Sequence, residues 1–399
     1  MRNTIIGIVI GIVVGVMLGA TVIAPGLRQA RSGVIGHDGT NAENIATATQ
    51  DTQKTKSAIN YVGANSANKK NSLAGDNSHL SRIRTASSFP RDLPHLGEMA
   101  VRLERLLGEI SNGTFDLKIY DPGVMVPVSD TFRAVQSGTL EAAFSSPGQW
   151  ANEIPALQLF SSIPFGPSID EYLAWYYFGD GEKIFQSLLQ KKGIHALACG
   201  AIPTEASGWF RRPIRTIGDF KGLKIRAFGL GAKVLTQMGA EVSEISGEDI
   251  YKALSEGRLD GAEYSMPTVD AGLGLGRVAK NYYFPGWHQP STLFSLMINA
   301  STWDNLSPAT QSQIETVCGD NVRFGLAHGG SGQFEALKQL GIDGVQVHRW
   351  PEIILSALHR AWFDVVREQS ANDVDFASTW NSIESFRRDY SIWQELSSF

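Results

Sequence analysis

Apolar positions along this chain fall into three regimes. Ile5 to Val22 is an uncharged apolar run preceded by Arg2, long enough to cross a hydrocarbon core. No small-x-small cleavage site closes it. Ala20-Thr-Val-Ile-Ala24-Pro25 is a poor substitute, so an uncleaved membrane anchor is favoured over a removable signal. Residues 1–26 are therefore read as anchor or uncleaved signal. Gly7, Gly11, Gly15 and Gly19 line one helical face with small residues, as membrane helices commonly do. From Leu27 to Ser88 periodicity disappears and Asn, Ala, Ser, Thr, Gln and Gly dominate. Such a segment buries too little apolar surface to offset its ordering entropy, and 27–88 is expected to be a tether. Its r.m.s. reach would be on the order of 40 Å.

Regular signals begin near Phe89. Leu96, Met99, Leu103, Leu106, Leu107 and Ile110 share a helical face that ends at Asn112-Gly113. Phe115 to Tyr120 alternates like a strand and turns out at Asp121-Pro-Gly123. Ser129 can cap a helix running through Val135, and Leu140 to Phe144 is a short strand. Further strands are expected at Leu223–Phe228, Glu241–Ile245, Leu259–Glu263 and Leu293–Asn299. Between them, Gly229-Leu-Gly231 opens a helix to Met238. Ser246 with Asp249 forms a capping-box-like start for another. Strand and helix alternate as in a parallel sheet with crossover helices. From Ser307 the chain reads as mostly helical, including Pro351–Glu368 and Val374–Glu395. Phe376, Trp380, Ile383, Phe386, Tyr390 and Trp393 recur at helical spacing in the last helix. Such a face needs a partner, and its own chain or a second copy serve equally well.

Composition narrows the function. The 399 residues carry a formal net charge of −5, so no basic field invites nucleic acid. Cys199 and Cys318 are far apart and form no C-x-x-C pair, which excludes zinc-ribbon and thioredoxin-like motifs. Two separate buried thiols are favoured over a disulfide. The eight histidines form no H-E-x-x-H motif, and there is no G-x-S-x-G elbow and no Walker loop. Gly229-Leu-Gly231 lacks the third glycine of a dinucleotide fingerprint and better suits a helix N-terminus approaching a ligand oxygen. Binding is better supported than catalysis.

The chemistry concentrates between Glu205 and Pro290, where polar clusters interrupt strand and helix signals, as at the carboxyl ends of strands in ligand-binding α/β sheets. Arg226 lies in an apolar strand, either as an ion-pair partner or as a guanidinium fork for a ligand carboxylate. Glu263 is either a salt-bridge residue or a hard oxygen ligand for a cation. Trp209, Trp287 and Phe210 are by default core residues, although Trp also suits a site wall that must donate a hydrogen bond.

Gly208-Trp-Phe-Arg-Arg, Phe220-Lys-Gly-Leu-Lys-Ile-Arg226-x-x-Gly-Leu-Gly231 and Ile250-Tyr-Lys-Ala-Leu-Ser-Glu-Gly resemble the substrate-binding proteins of tripartite ATP-independent periplasmic (TRAP) transporters. Asp260-Gly-Ala-Glu263-Tyr264 and Tyr282-Tyr-Phe-Pro-Gly-Trp287-His extend the resemblance, which runs from about Phe89 to the C-terminus and is nearest the 2-oxoacid-binding subgroup. It implies a two-lobed, periplasmic-binding-protein-like α/β fold with a hinge and a helical C-terminal region. Lobe one would comprise about 89–206 plus 293–345, lobe two about 207–292, and the C-terminal helices 346–399. It further implies that Arg226 binds the ligand carboxylate, while Glu263, the Tyr264 backbone carbonyl and Glu205 surround one sodium or calcium ion. Trp209, Trp287, Trp150, Glu205 and Gln289 would contact the substrate. Departures from the family pattern include Tyr264 for Trp, Glu205 for Gln, Gln289 for Glu, and Gly148-Gln149 for a tyrosine pair.

With Glu205, Glu263 and a ligand carboxylate around one cation, the site would favour a divalent ion or hold one carboxylate protonated. The implied function is a periplasmic receptor, tethered to the inner membrane, that passes a small organic acid to a TRAP permease. A homodimer through the last helix is an added possibility. A periplasmic lyase or hydrolase using Glu205 or Glu263 as base is the alternative from another class, and a ligand-presenting sensor domain is a third.

Overall fold

The computed structural model describes residues 81–397. The apolar run from Ile5 to Val22 and most of the polar segment lie outside the described residues. Among those described, no helix is long and apolar enough to cross a membrane.

The first strand, β1 (Ser81–Ser87), lies inside the segment expected to be a tether. Its own pattern is weak, but β2 and β3 pair with it in parallel on either side, and Ile83, Thr85 and Ala86 are buried. Neighbours distant in sequence order it, so the folded region starts earlier than local composition indicated. Helix α1 (Leu96–Ile110) buries Leu96, Met99, Leu103 and Leu107, as its periodicity predicts. Strand β2 (Phe115–Tyr120) buries every second residue. Then come α2 (Thr131–Ser137), β3 (Ala142–Ser145), α3 (Ile169–Phe178), α4 (Gly181–Gln190) and β4 (Ile194–Ile202). The middle of the chain contributes β5 (Gly208–Phe210), β6 (Lys224–Arg226), α5 (Gly229–Gln237), β7 (Glu241–Ser243), α6 (Gly247–Ser255), β8 (Gly261–Ala262), α7 (Pro267–Gly272) and β9 (Asn281–Phe284). The remainder is β10 (Thr292–Asn299), α8 (Ala300–Asp304), α9 (Pro308–Ser331), α10 (Gln333–Ile342), β11 (Gln346–Arg349), α11 (Glu352–Asn372) and α12 (Val374–Ser397).

Two sheets result, ordered β2-β1-β3-β10-β4 and β11-β9-β5-β8-β6-β7. Neither is wholly parallel, contrary to the simple alternation expected. Strand β10 runs antiparallel to both β3 and β4, and β5 runs antiparallel to β8 and β9. The antiparallel members mark where the chain passes between the sheets, at 203–207 and at 285–291. A third crossing follows α9. There the expected division fails: Leu340 and Val345 bury into the second lobe's core, and β11 joins the second sheet beside β9. Residues 333–349 therefore belong with lobe two. From Ser307 onward the chain is mostly helical, as expected, with β11 as a strand within that region.

Cys199 on β4 and Cys318 on α9 form a disulfide across 119 residues, correcting the expectation of two separate thiols. Spacing in sequence could not show that α9 lies along β4. On the chain-entropy model a loop of this length stabilises the fold by about 4–5 kcal/mol, and such bonds persist in oxidising compartments. The first half of α12 buries Phe376, Trp380 and Ile383, with Trp380 edge-on to Trp362 of α11. Its aromatic face is thus covered by its own chain, while Ile392, Trp393 and Leu396 at the far end stay exposed.

Candidate functional site

The crossing segments 203–207 and 285–291 are joined side by side, with Glu205 N donating to Gln289 O (3.1 Å) and Thr204 Oγ1 to Pro290 O (2.8 Å). A Cβ at Gly286 would come within 2.2 Å of Glu205 O, so only glycine permits this approach. The pairing brings Glu205 and His288 together at the junction of the lobes. Glu263, immediately after β8, comes from the second sheet.

These three side chains are almost fully buried. His288 Nε2 lies 3.6 Å from Glu263 Oε2 and 4.0 Å from Glu205 Oε2. One atom from each falls within 4.8 Å of the others. Among the described residues, Glu205 Oε2, Glu263 Oε2 and both His288 ring nitrogens find no hydrogen-bond partner. Buried polar groups are normally paired, and leaving them unpaired costs about 1–3 kcal/mol each. The cluster has the character of a site completed by a ligand.

Electrostatics divides the two carboxyls. Burial, reinforced by the charges of Glu263 and Asp270, raises Glu205 well above the usual carboxylate range. Burial also works against ionising Glu263, but the Arg226 guanidinium and His288 outweigh it and hold Glu263 low. Burial and charge therefore favour the proton on Glu205 and the ionised form on Glu263. Arg226 donates from Nη1 to Glu263 Oε1 (3.1 Å) and to Glu263 O (2.8 Å), and from Nε to Ile245 O (3.2 Å). Its ion-pair role is thus realised. Its side chain remains 12 % exposed and lies 5.3 Å over the Tyr264 ring, a cation–π distance. Tyr264 in turn fits against Gly247, where a Cβ would meet its phenol oxygen at 2.6 Å. Burial pushes that phenol up to about 12.

Beside the cluster is a narrow cleft of about 10 Å³, close to the room one water needs. Gln158, Ser161 and Ser162 line it from lobe one, Phe228 and the turn Gly229–Gly231 from lobe two, and His288 and Gln289 from the crossing. A Cβ at Gly148 would meet Ser161 at 3.0 Å and the Phe228 ring at 3.2 Å. Phe228 thus takes the space that a side chain at 148 would need. A Cβ at Gly231 would come within 2.8 Å of His288, so glycine there lets α5 close on the histidine. Gln289 lines the cleft, but its Nε2 is donated to Thr292 Oγ1 (2.9 Å).

None of the three tryptophans expected to touch substrate is among the lining residues of this cleft. Trp209 is fully buried, stacked on Tyr282 at 3.8 Å, and donates from Nε1 to Asp270 Oδ2 (2.8 Å). Trp150 lies beside Phe132 and Trp287 beside Phe165, both in the main core. Their apolar area is worth more in a dry core than at a polar cleft. The sequence reading passed over His288, Gln158, Ser161, Ser162 and Phe228 as site residues. His288 and Phe228 carried a signal, His288 between Trp287 and Gln289 in the Pro285–Pro290 cluster and Phe228 at the end of an apolar strand beside Gly229.

A two-lobed α/β frame whose crossing strands hold a buried polar cleft defines a class: the solute-binding receptors. The description "Bacterial extracellular solute-binding protein, family 7" matches residues 87–373, and the chain belongs to that family. Its members are the periplasmic receptors of TRAP transporters and bind their substrates without turning them over. The chain is 29 % identical over 316 residues to a monocarboxylate 2-oxoacid-binding periplasmic protein of Nostoc, spanning 79 % of this chain and 86 % of that one. A TRAP solute-binding protein from Bordetella bronchiseptica, solved with copurified calcium and picolinate, superposes with a TM-score of 0.77 at 29 % identity, covering 79 % of this chain and 94 % of that one. Another, from Pseudoalteromonas atlantica with bound sodium and pyruvate, gives 0.76 at 25 % identity, covering 79 % and 97 %.

Proposed function

We propose that this receptor binds a small 2-oxoacid-like monocarboxylate together with one cation in the cleft at Glu205, Glu263 and Arg226, and delivers the acid to a TRAP permease. The observation that carries the reading is the convergence of unpartnered atoms of Glu205, Glu263 and His288 beside a guanidinium. Related receptors with calcium and picolinate, or sodium and pyruvate, lend it support. So does the polar lining of the narrow cleft beside the cluster, with Ser161, Ser162, His288 and Gln289.

The residues present fit a hard cation. Glu263 and Glu205 offer carboxylate oxygens, with the Tyr264 carbonyl as a third oxygen. Without a cation, Glu205 keeps its proton, which limits charge repulsion with Glu263. A bound cation would supply the positive charge that lets both carboxyls ionise, and two anionic oxygens favour calcium over sodium. Arg226 then has its Glu263 partner shared with the cation and can turn a donor toward the ligand carboxylate. His288, a poor ligand for a hard ion, orients Glu263 and can donate to the ligand's oxo oxygen. On the same reading, Ile5 to Val22 tethers the receptor to the inner membrane.

Calorimetric titration of pyruvate, after chelation and re-addition of one ion at a time, tests this. Saturable binding should be strongest with calcium, weaker with sodium and lost with neither. Undiminished affinity with neither ion present would remove the cation from the reading.

A further inference from the structure

A second cluster lies apart from the cleft, where α1 begins and α9 ends. His95, Glu98 and His328 each place one ligand-type atom within 4.8 Å of the others. His95 Nδ1 is 3.1 Å from His328 Nδ1, and His328 Nδ1 is 3.4 Å from Glu98 Oε2. Two nitrogens bound to zinc at about 2.0–2.1 Å would stand about 2.9 Å apart at a right angle and about 3.4 Å at a tetrahedral one. Both observed separations fall within that range.

A further observation points the same way. His95 is buried, with Nδ1 turned to His328 and Nε2 on the opposite side of the ring, outside the cluster. Its backbone is also strained, with φ 64° and ψ −56°, closed by Leu96 N donating to Pro94 O at 2.7 Å. A γ-turn of this hand is rare for a residue with a side chain, and strain of about 1–3 kcal/mol tends to persist where function holds it. The turn sets the imidazole facing His328 instead of letting it run out along the helix. His328 and Glu98 are about half exposed, which leaves an outer position open to water or a ligand.

We propose that His95, Glu98 and His328 form a binding site for a zinc-class divalent ion, separate from the solute cleft. Two imidazoles and one carboxylate suit a borderline first-row ion. The two carboxylates of the cleft suit a hard one, so ligand type sorts the ions between the sites. An ion here would join the start of α1 to the last turn of α9, directly before the crossing into lobe two at Gly332, which abuts Thr268.

Cobalt(II) titration of the chelated full-length protein, followed by visible absorption, tests the assignment. The wild type should show ligand-field bands saturating at one equivalent and displaced by zinc. His328→Ala should abolish the bands, Glu98→Gln should weaken cobalt binding at least tenfold, and Glu263→Gln should leave the bands intact. Unchanged circular dichroism and melting would establish that each variant is folded. Absence of bands in the wild type, or bands that survive His328→Ala, would overturn the site, as would bands lost instead in Glu263→Gln. None of these outcomes bears on pyruvate binding, so this assignment and that of the cleft fail separately.

Discussion

Two buried acid clusters stand side by side in this receptor, and they are finished differently. Asp270 accepts from Trp209 Nε1 (2.8 Å), Tyr282 Oη (2.9 Å) and Ser265 N (3.0 Å). Glu205 and Glu263 each keep an oxygen without a partner among the described residues. Both clusters pay for burial, since even with three donors Asp270 is raised to about 7. What separates them is completion. The Asp270 cluster is closed by the protein and holds the β5–β9 core in register, whereas the other is left for something else to close. Burial of a carboxylate thus does not mark a binding site; burial with unfilled valence does.

The comparison can be broken most forcefully at its closed half. Asp270→Ala should destabilise the protein by about 3–5 kcal/mol, since three buried donors lose their acceptor. The loss, read by urea unfolding, should be the same with and without calcium. Asp270→Asn tests the charge alone. With its pKa raised from 3.8 to about 7, Asp270 contributes stability that is complete below about pH 4 and lost as pH rises toward 7. The Asn variant should flatten that slope, and an unchanged slope would show that another group controls it.

At the open half, Arg226→Ala should weaken carboxylate binding about 10- to 100-fold, as expected for loss of a charge-assisted bond worth about 1.5–3 kcal/mol. Calorimetry at saturating calcium would read it, and undiminished affinity would reassign the anion site. The smallest effect sharpens the division of labour between the carboxyls. Because Glu205 is raised by burial and by Glu263, cation binding must displace its proton, and affinity should rise with pH. Glu205→Gln should bind calcium about tenfold more weakly and without that pH dependence. A persistent pH dependence would point to a group other than Glu205.

Much of this was legible before any coordinates. The helical face of α1, the alternation of β2 and the turn at Gly229 are local patterns, and they appear as read. Arg226 and Glu263 stood out because each charge interrupts an apolar strand, and they meet in the structure. The tryptophans were ambiguous, because a residue type that suits both core and cleft does not announce its side. His288 was passed over for the converse reason: a lone histidine acquires meaning only from what faces it. The disulfide and the placement of β11 depended on contacts between segments distant along the chain.

By itself, then, the sequence determined the receptor class, the periodic elements and the charged residues available for a site, because periodicity and motif order are carried by neighbours along the chain. Only the tertiary structure decided which of those charges are left unsatisfied. Glu205 and His288 come from the paired crossing segments and Glu263 from the end of β8 in the second sheet. Their shortage of partners is a property of the assembled surroundings, since desolvation and lost hydrogen bonds depend on what distant segments bring, or fail to bring, into contact.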